Sequence, residues 1–148
     1  MYLDSAIIVK LLIRENDSAW FDRSVNGHDL WSSELALAEV RSAILTKERS
    51  KLVSVNQRKA ALARFQFFHE NEDLRLHPLN LAVVQHASGL LMSCHPEVPL
   101  RSLDAIHLAT ALLYPRGALC TTDNKLRAAA RQMGAPCFPE ELSEIIKD

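Results

Sequence analysis

The sequence predicts an α/β protein: one domain over residues 1–148, with a parallel central sheet flanked by helices on both faces. Three observations carry that expectation. Short apolar strand segments alternate with amphipathic helical segments along the chain, a pattern that produces parallel strands joined by covering helices. A length of 148 residues favours one domain with one core. Apolar residues at 48% and charged residues at 24% are ordinary for a globular chain and exclude disorder, a collagen-like chain or a coiled coil.

Each element follows from local pattern. Met1-Tyr2-Leu3 reads as a short apolar strand ending at Asp4, and Ser5 is expected to cap a helix carrying Ile7, Ile8, Leu11 and Leu12 at helical spacing. Asn16 to Val25 reads as a second helix closed by Asn26-Gly27. Leu30 to Ser33 follows as a strand. Glu34 to Lys47 is then a helix bearing Leu35, Ala38, Val40, Ile44 and Leu45. Val55 to Glu70 is a long amphipathic helix with Leu62, Phe65 and Phe68 on its apolar face. Leu74 to Leu79 alternates like a strand that its proline terminates.

Asn80 is suited to cap a helix running to about Ser93. The loop His95–Pro99 leads into a helix from about Ser102 to Leu113. Ala118 to Thr122 is a buried strand, Asn124 to Met133 a helix, and Cys137 and Phe138 belong to a last short strand. Right-handed crossovers follow from chirality. In such open sheets, sites lie beyond the carboxyl ends of the strands.

Two acids occupy that edge: Asp4 ends the first strand, and Asp123 follows the Ala118–Thr122 strand. Helix capping alone would explain either one. Asp104 and Glu39 stand in apolar surroundings, within Leu103–Ala109 and Leu35–Val40, where acids are rare unless paired or metal-bound. The helix of Asp104 supplies no Lys or Arg to neutralise it, since Arg101 falls just before the helix start. Arg41 is two residues from Glu39 and does not share its face. Four converging carboxylates would repel one another and raise each other's pKa values, and a divalent cation removes that conflict. With no Cys or His cluster, an all-oxygen set suits Mg²⁺ or Mn²⁺. Such an ion polarises a phosphoryl oxygen and lowers the pKa of a bound water, as phosphodiester hydrolysis requires.

The segments Tyr2–Ala6, Ser33–Leu35 through Glu39-Val40, Leu100–Ala111 and Thr121–Leu126 carry a resemblance. In this order, over nearly the whole chain, they resemble a PIN-domain ribonuclease, most closely a VapC-type toxin of a bacterial toxin–antitoxin pair. The resemblance implies that Asp4, Glu39, Asp104 and Asp123 form an acidic quartet holding one or two Mg²⁺ or Mn²⁺ ions. It makes Asp4 and Asp104 direct ligands, has Asp123 complete or bridge the site, and leaves Glu39 as a ligand or as the group that orients the attacking water. Ser5 and Thr121 match positions that support the acids by hydrogen bonds. Asn124 stands where some relatives carry a further acid. The resemblance also implies an RNA substrate, a cognate VapB-type antitoxin lying in the active-site groove, and a homodimer.

Other features favour plainer expectations. No apolar run approaches the ~20 residues of a membrane span. Asp4 precedes the short Ala6–Val9 stretch where a signal peptide wants positive charge. Cys94, Cys120 and Cys137, an odd number without CxxC spacing, are expected to be apolar fillers in a cytoplasmic protein. His107, one turn after Asp104, is expected to satisfy its ring by local hydrogen bonds, and Trp20 and Trp31 to serve the core. The basic run from Arg41 to Arg64 is equally well a solvated face or a phosphate-contacting patch.

Two other functions compete. One is a catalytically silent PIN-like module that binds RNA or protein. The other is a phosphotransfer receiver or phosphatase, but the paired Asp signature of such phosphatases is missing, since Asp4 is followed by Ser5-Ala6. The net charge of −1 gives no hint of nucleic acid. Setting the four acids aside leaves 14 acids against 17 bases, so an acidic pocket sits in a mildly basic shell.

Overall fold

In the computed structural model, which describes residues 1–146, five short strands pair in parallel. They are β1 (Tyr2–Leu3), β2 (Leu30–Ser33), β3 (Leu74–His77), β4 (Leu119–Cys120) and β5 (Cys137–Phe138), and their spatial order is β3-β2-β1-β4-β5. Seven helices connect them: α1 (Ser5–Leu12), α2 (Ser18–Val25), α3 (Ala36–Arg49), α4 (Val55–Glu70), α5 (Leu81–Cys94), α6 (Ser102–Leu113) and α7 (Asn124–Gln132). A 3₁₀ turn, Leu142–Glu144, follows β5 and had no counterpart in the sequence pattern.

The pleat sorts the core into two layers, because successive strand residues face opposite sides. Leu3 and Cys120 pack on one face with Ile7, Ile8, Val40, Ile44 and Phe65 from α1, α3 and α4. Tyr2 and Leu119 face the other side, among Val83, Leu90, Ala105, Leu108 and Leu126 from α5, α6 and α7. The expected helix-covered parallel sheet is therefore present, with β1 at its centre.

Local chemistry explains most boundaries. Ser54 and Gln57 form a reciprocal capping box at the start of α4, and Asn80 accepts the Val83 N–H at 3.1 Å to start α5. Gly27, at φ +79°, supplies the left-handed turn after α2. Several boundaries differ from the expectation: α2 starts at Ser18 rather than Asn16, β3 ends at His77 rather than Leu79, α3 runs on to Arg49, and three more have a visible cause. Asp4, not Ser5, caps α1, its Oδ1 accepting the Ile7 N–H at 2.8 Å. The helix expected from Glu34 starts at Ala36, because a turn at Glu34-Leu35 intervenes. The strand expected over Ala118–Thr122 shrinks to two residues; the Thr121 carbonyl accepts from the Arg127 guanidinium at 3.0 Å.

The cysteines are free; Cys94 and Cys120 are buried, Cys137 half-buried, and burial pushes all three thiols up. Trp20 and Trp31 are half-buried and pack against the two cores. Trp20 stacks on Phe138 at 5.6 Å and Trp31 on His77 at 4.7 Å. Much of the basic run is used internally: Arg58 pairs with Glu48, Lys47 with Glu15, and Arg64 lies over Phe68.

Candidate active site at the carboxyl edge of the sheet

β1 delivers Asp4 to the carboxyl edge, and β4, through Thr121, delivers Asp123 beside it. Asp4 is only 5% exposed. Burial pushes its carboxyl up, and the charge of Asp123 adds to that, against hydrogen bonds from Thr121 and the Ile7 N–H and the charge of His107. A buried carboxylate facing a second acid is a site that calls for a cation.

Asp123 divides its two oxygens. Oδ1 caps α7 by accepting from the Lys125 and Leu126 N–H groups at 2.8 and 3.0 Å. Oδ2 instead accepts from Arg101 Nη2 at 3.2 Å. Capping and site membership are thus compatible on one side chain. Thr121, fully buried, accepts the Asp123 N–H at 3.0 Å. Asp104, in the first turn of α6, accepts from Arg101 Nε at 2.9 Å through its Oδ2. Asp104 therefore has a basic partner after all: Arg101 is the residue before the helix, and the extended cap backbone lets its side chain fold back over the first turn.

Glu39, in the first turn of α3, is turned toward a different set of groups. Its Oε2 accepts from Ser5 Oγ at 2.7 Å and lies 2.7 Å from His107 Nε2. His107 is 3% exposed, and its Nδ1 is 2.9 Å from the Tyr2 hydroxyl. Both ring nitrogens thus have a partner, Nδ1 the Tyr2 hydroxyl and Nε2 the Glu39 carboxylate. Burial acts to raise the Glu39 carboxyl, but hydrogen bonds from His107 and Ser5 and the charges of His107 and Arg101 outweigh it and hold it below the usual range. The His107 ring is satisfied, as expected, but by partners from β1, α1 and α3 rather than by local ones.

Arg101 thus joins Asp104 and Asp123 at the carboxyl edge, where β1 also ends in Asp4, while Ser5, Glu39 and His107 form a second hydrogen-bonded set. As these side chains stand, no three Asp, Glu, His or Cys groups among the described residues converge tightly enough to grip an ion. The Arg101 fork takes one oxygen from each of Asp104 and Asp123. Donor type and charge nevertheless fit a hard divalent cation: the donors are all oxygen, one is buried, and a positive group already bridges two of them. One contributor escaped the sequence reading: Tyr2, 105 residues from His107, left no local signal.

Beside Glu39, a cleft of about 560 Å³ runs between α1 and α3, lined by Ala6, Val9, Ala43 and Leu103 among others.

The chain is similar to known proteins in both sequence and fold. A family model described as PIN domain matches residues 1–132. Ribonuclease VapC46 of Mycobacterium tuberculosis is 42% identical over 137 residues, covering 90% of this chain and 92% of that protein. Ribonuclease VapC45 of the same species is 32% identical over 146 residues, covering 96% of each. Among solved structures, FitAcB from Neisseria gonorrhoeae shares the fold with a TM-score of 0.69 at 16% identity, over 94% of this chain and 96% of that one. A toxin–antitoxin complex from Klebsiella pneumoniae matches with a TM-score of 0.58 at 19% identity, over 86% of this chain and 89% of that one.

Proposed function

The chain belongs to the PIN-domain family, and from that premise we propose that it is a divalent-metal-dependent endoribonuclease, the toxin of a toxin–antitoxin pair. The observation that carries the reading is that Asp104 and Asp123, from separate elements, share the Arg101 guanidinium at the sheet edge where β1 ends in the buried Asp4. The ribonuclease names of its relatives support RNA as the substrate.

Asp4, Asp104 and Asp123 would hold Mg²⁺ or Mn²⁺, and the ion would polarise a phosphoryl oxygen and acidify a bound water. Glu39, held at Oε2 by Ser5 and His107, would orient the attacking water or serve as a further ligand. Thr121 holds the turn that presents Asp123. The apolar lining of the cleft beside Glu39 supports docking of a segment of a VapB-type antitoxin, in keeping with the toxin–antitoxin complex from Klebsiella pneumoniae that shares this fold. Leu81, Val84 and Met92 expose an apolar stripe on α5 that supports a homodimer. A cytoplasmic site of action accords with the buried free cysteines; no helix among the described residues is long and apolar enough to cross a membrane.

The test uses a panel of structured and single-stranded RNAs with Mn²⁺. Asp104→Asn and Asp4→Asn are each expected to cut cleavage by about 100-fold or more, the scale of losing one charge-stabilising group, with circular dichroism unchanged. Full activity in either variant, or undiminished cleavage in excess chelator, would refute the reading. A second reading, a catalytically silent binding module, is favoured by the Arg101 bridge across the acids. It requires RNA binding without cleavage at saturating Mn²⁺.

A further inference from the structure

The acid edge carries a cation of its own. Arg101 places Nε 2.9 Å from Asp104 Oδ2 and Nη2 3.2 Å from Asp123 Oδ2, so one planar fork joins the start of α6 to the cap of α7. Among the described residues no other Lys or Arg forms an ion pair with Asp4, Asp104 or Asp123. The Arg101 side chain is 66% exposed while those of Asp104 and Asp123 are 17% and 33% exposed, so the guanidinium sits on the solvent side of its partners.

The oxygens that it uses are telling. Asp123 keeps Oδ1 on the α7 backbone, and Arg101 takes only the oxygen left over. Removing the guanidinium from Asp123 leaves that cap untouched. Nothing packs the arginine in place: it is exposed, and its hydrogen bonds are the two to carboxylates.

We propose that Arg101 is the intramolecular occupant of the cation position, competing with the divalent ion for the Oδ2 atoms of Asp104 and Asp123, so that the ion binds only as the arginine swings out. The inference rests on the reading that these acids hold a divalent ion. It adds to that reading a residue that sets how tightly they do so. The physical argument is mutual exclusion. Coulomb repulsion keeps a guanidinium and a divalent ion from bridging the same oxygens, and each Oδ2 engaged by Arg101 is a lone pair withheld from the ion. Free of the ion, one positive charge offsets part of the Asp104–Asp123 pair and keeps the two helices tied. Loaded, it releases an arginine at the rim. Arg101 is thus a positioning residue for the acids, and the metal concentration at which the site fills is written partly into its fork.

Mn²⁺ binding to the full chain, followed by the electron paramagnetic resonance of the free ion, tests this without reference to cleavage. Arg101→Gln is expected to bind Mn²⁺ about tenfold more tightly than wild type, within the range common for coupled binding events. Arg101→Lys keeps the charge but loses the fork, and is expected to fall between the two. Equal affinity in all three proteins, or a Lys variant as weak as wild type, would overturn the proposal and leave the metal-site reading standing. Failure of wild type and Arg101→Gln alike to bind Mn²⁺ would overturn both.

A measurement on wild type covers the case in which a variant folds poorly. On titration with diamagnetic Mg²⁺, the Arg101 Nε–H resonance is expected to shift toward that of a solvent-exposed arginine and to saturate together with Mg²⁺ binding. An Nε–H resonance that stays put while Mg²⁺ saturates would overturn the proposal.

Discussion

Asp4 has two roles that pull on its ionisation in opposite directions. Its Oδ1 caps α1, which favours a carboxylate, while burial and the Asp123 charge favour the acid. Burial wins, and the folded pKa is raised. A carboxyl raised on folding contributes stability that is present below its unfolded pKa and lost as pH rises through the folded value. At neutral pH the metal-free protein therefore bears that cost. Asp4→Asn retains an acceptor for the Ile7 N–H, since Asn caps as well as Asp. We expect it to raise the Tm of chelator-treated protein at pH 7 by about 3 °C, the shift that ~1 kcal/mol produces in a chain of this size. Calorimetry decides it: an unchanged or lower Tm would mean that burial of Asp4 is already compensated.

At the scale of elements, helix α1 and the segment leading into α2 are locked to α3 by a cluster of charges. Lys10 pairs with Glu15 and Asp17 at 2.9 and 2.8 Å, and Lys47 reaches Glu15 at 2.6 Å. Burial acts to raise Glu15, but hydrogen bonds and charge from Lys47 and Lys10 prevail and hold its carboxyl below the ordinary value. A depressed carboxyl gives stability present above its unfolded pKa and lost as pH falls through the folded one. The stability of wild type should thus fall as pH drops below about 4.3, the ordinary Glu value. The Glu15→Gln variant should show a flatter acid limb, with the difference between the two proteins largest at neutral pH. Urea titrations at pH 7, 5 and 3 check this, and parallel pH profiles would contradict the role given to Glu15. At the other end of the sheet, α7 does similar work with a buried arginine. Arg127, 3% exposed, donates to the carbonyls of Thr121, Pro139 and Glu140 and so replaces ladder bonds that the two-residue strands β4 and β5 do not make.

For the molecule as a whole, the near-zero charge is a sum of unlike regions. A deficit of positive charge concentrates at Asp4, Asp104 and Asp123, with Arg101 as its local answer. An ion that binds only the folded state stabilises it by about 2.7 kcal/mol at a concentration 100 times its dissociation constant. Saturating Mg²⁺ or Mn²⁺ should accordingly raise Tm by about 5–10 °C at the usual sensitivity of chains this long, and chelator should reverse it. A Tm insensitive to both ions would argue against a metal site.

Much of the fold was legible because its signals are local. Leu30–Ser33, Val55–Glu70 and Ser102–Leu113 occur where periodicity placed them, and Asn80 caps α5 as its type and position predict. Boundaries failed for two reasons: Arg127 drew off the Thr121 carbonyl through a tertiary contact, and Asp4, one residue earlier, took by a local bond the cap assigned to Ser5, freeing that hydroxyl for Glu39. The candidate site divides in the same way. Asp4 and Asp123 were visible as acids at strand ends, and Asp104 and Glu39 as acids in apolar helices, because strand and helix periods can be read from neighbouring residues. Only the folded chain decided what each acid touches. The Tyr2–His107–Glu39 network joins residues 105 and 68 positions apart, and Arg101 reaches 22 residues ahead to Asp123. Sequence by itself determined which side chains reach the carboxyl edge; the packing of α1, α3, α6 and α7 around β1 and β4 decided which of them share a charge, since hydrogen bonds and ion pairs form across space that periodicity does not measure.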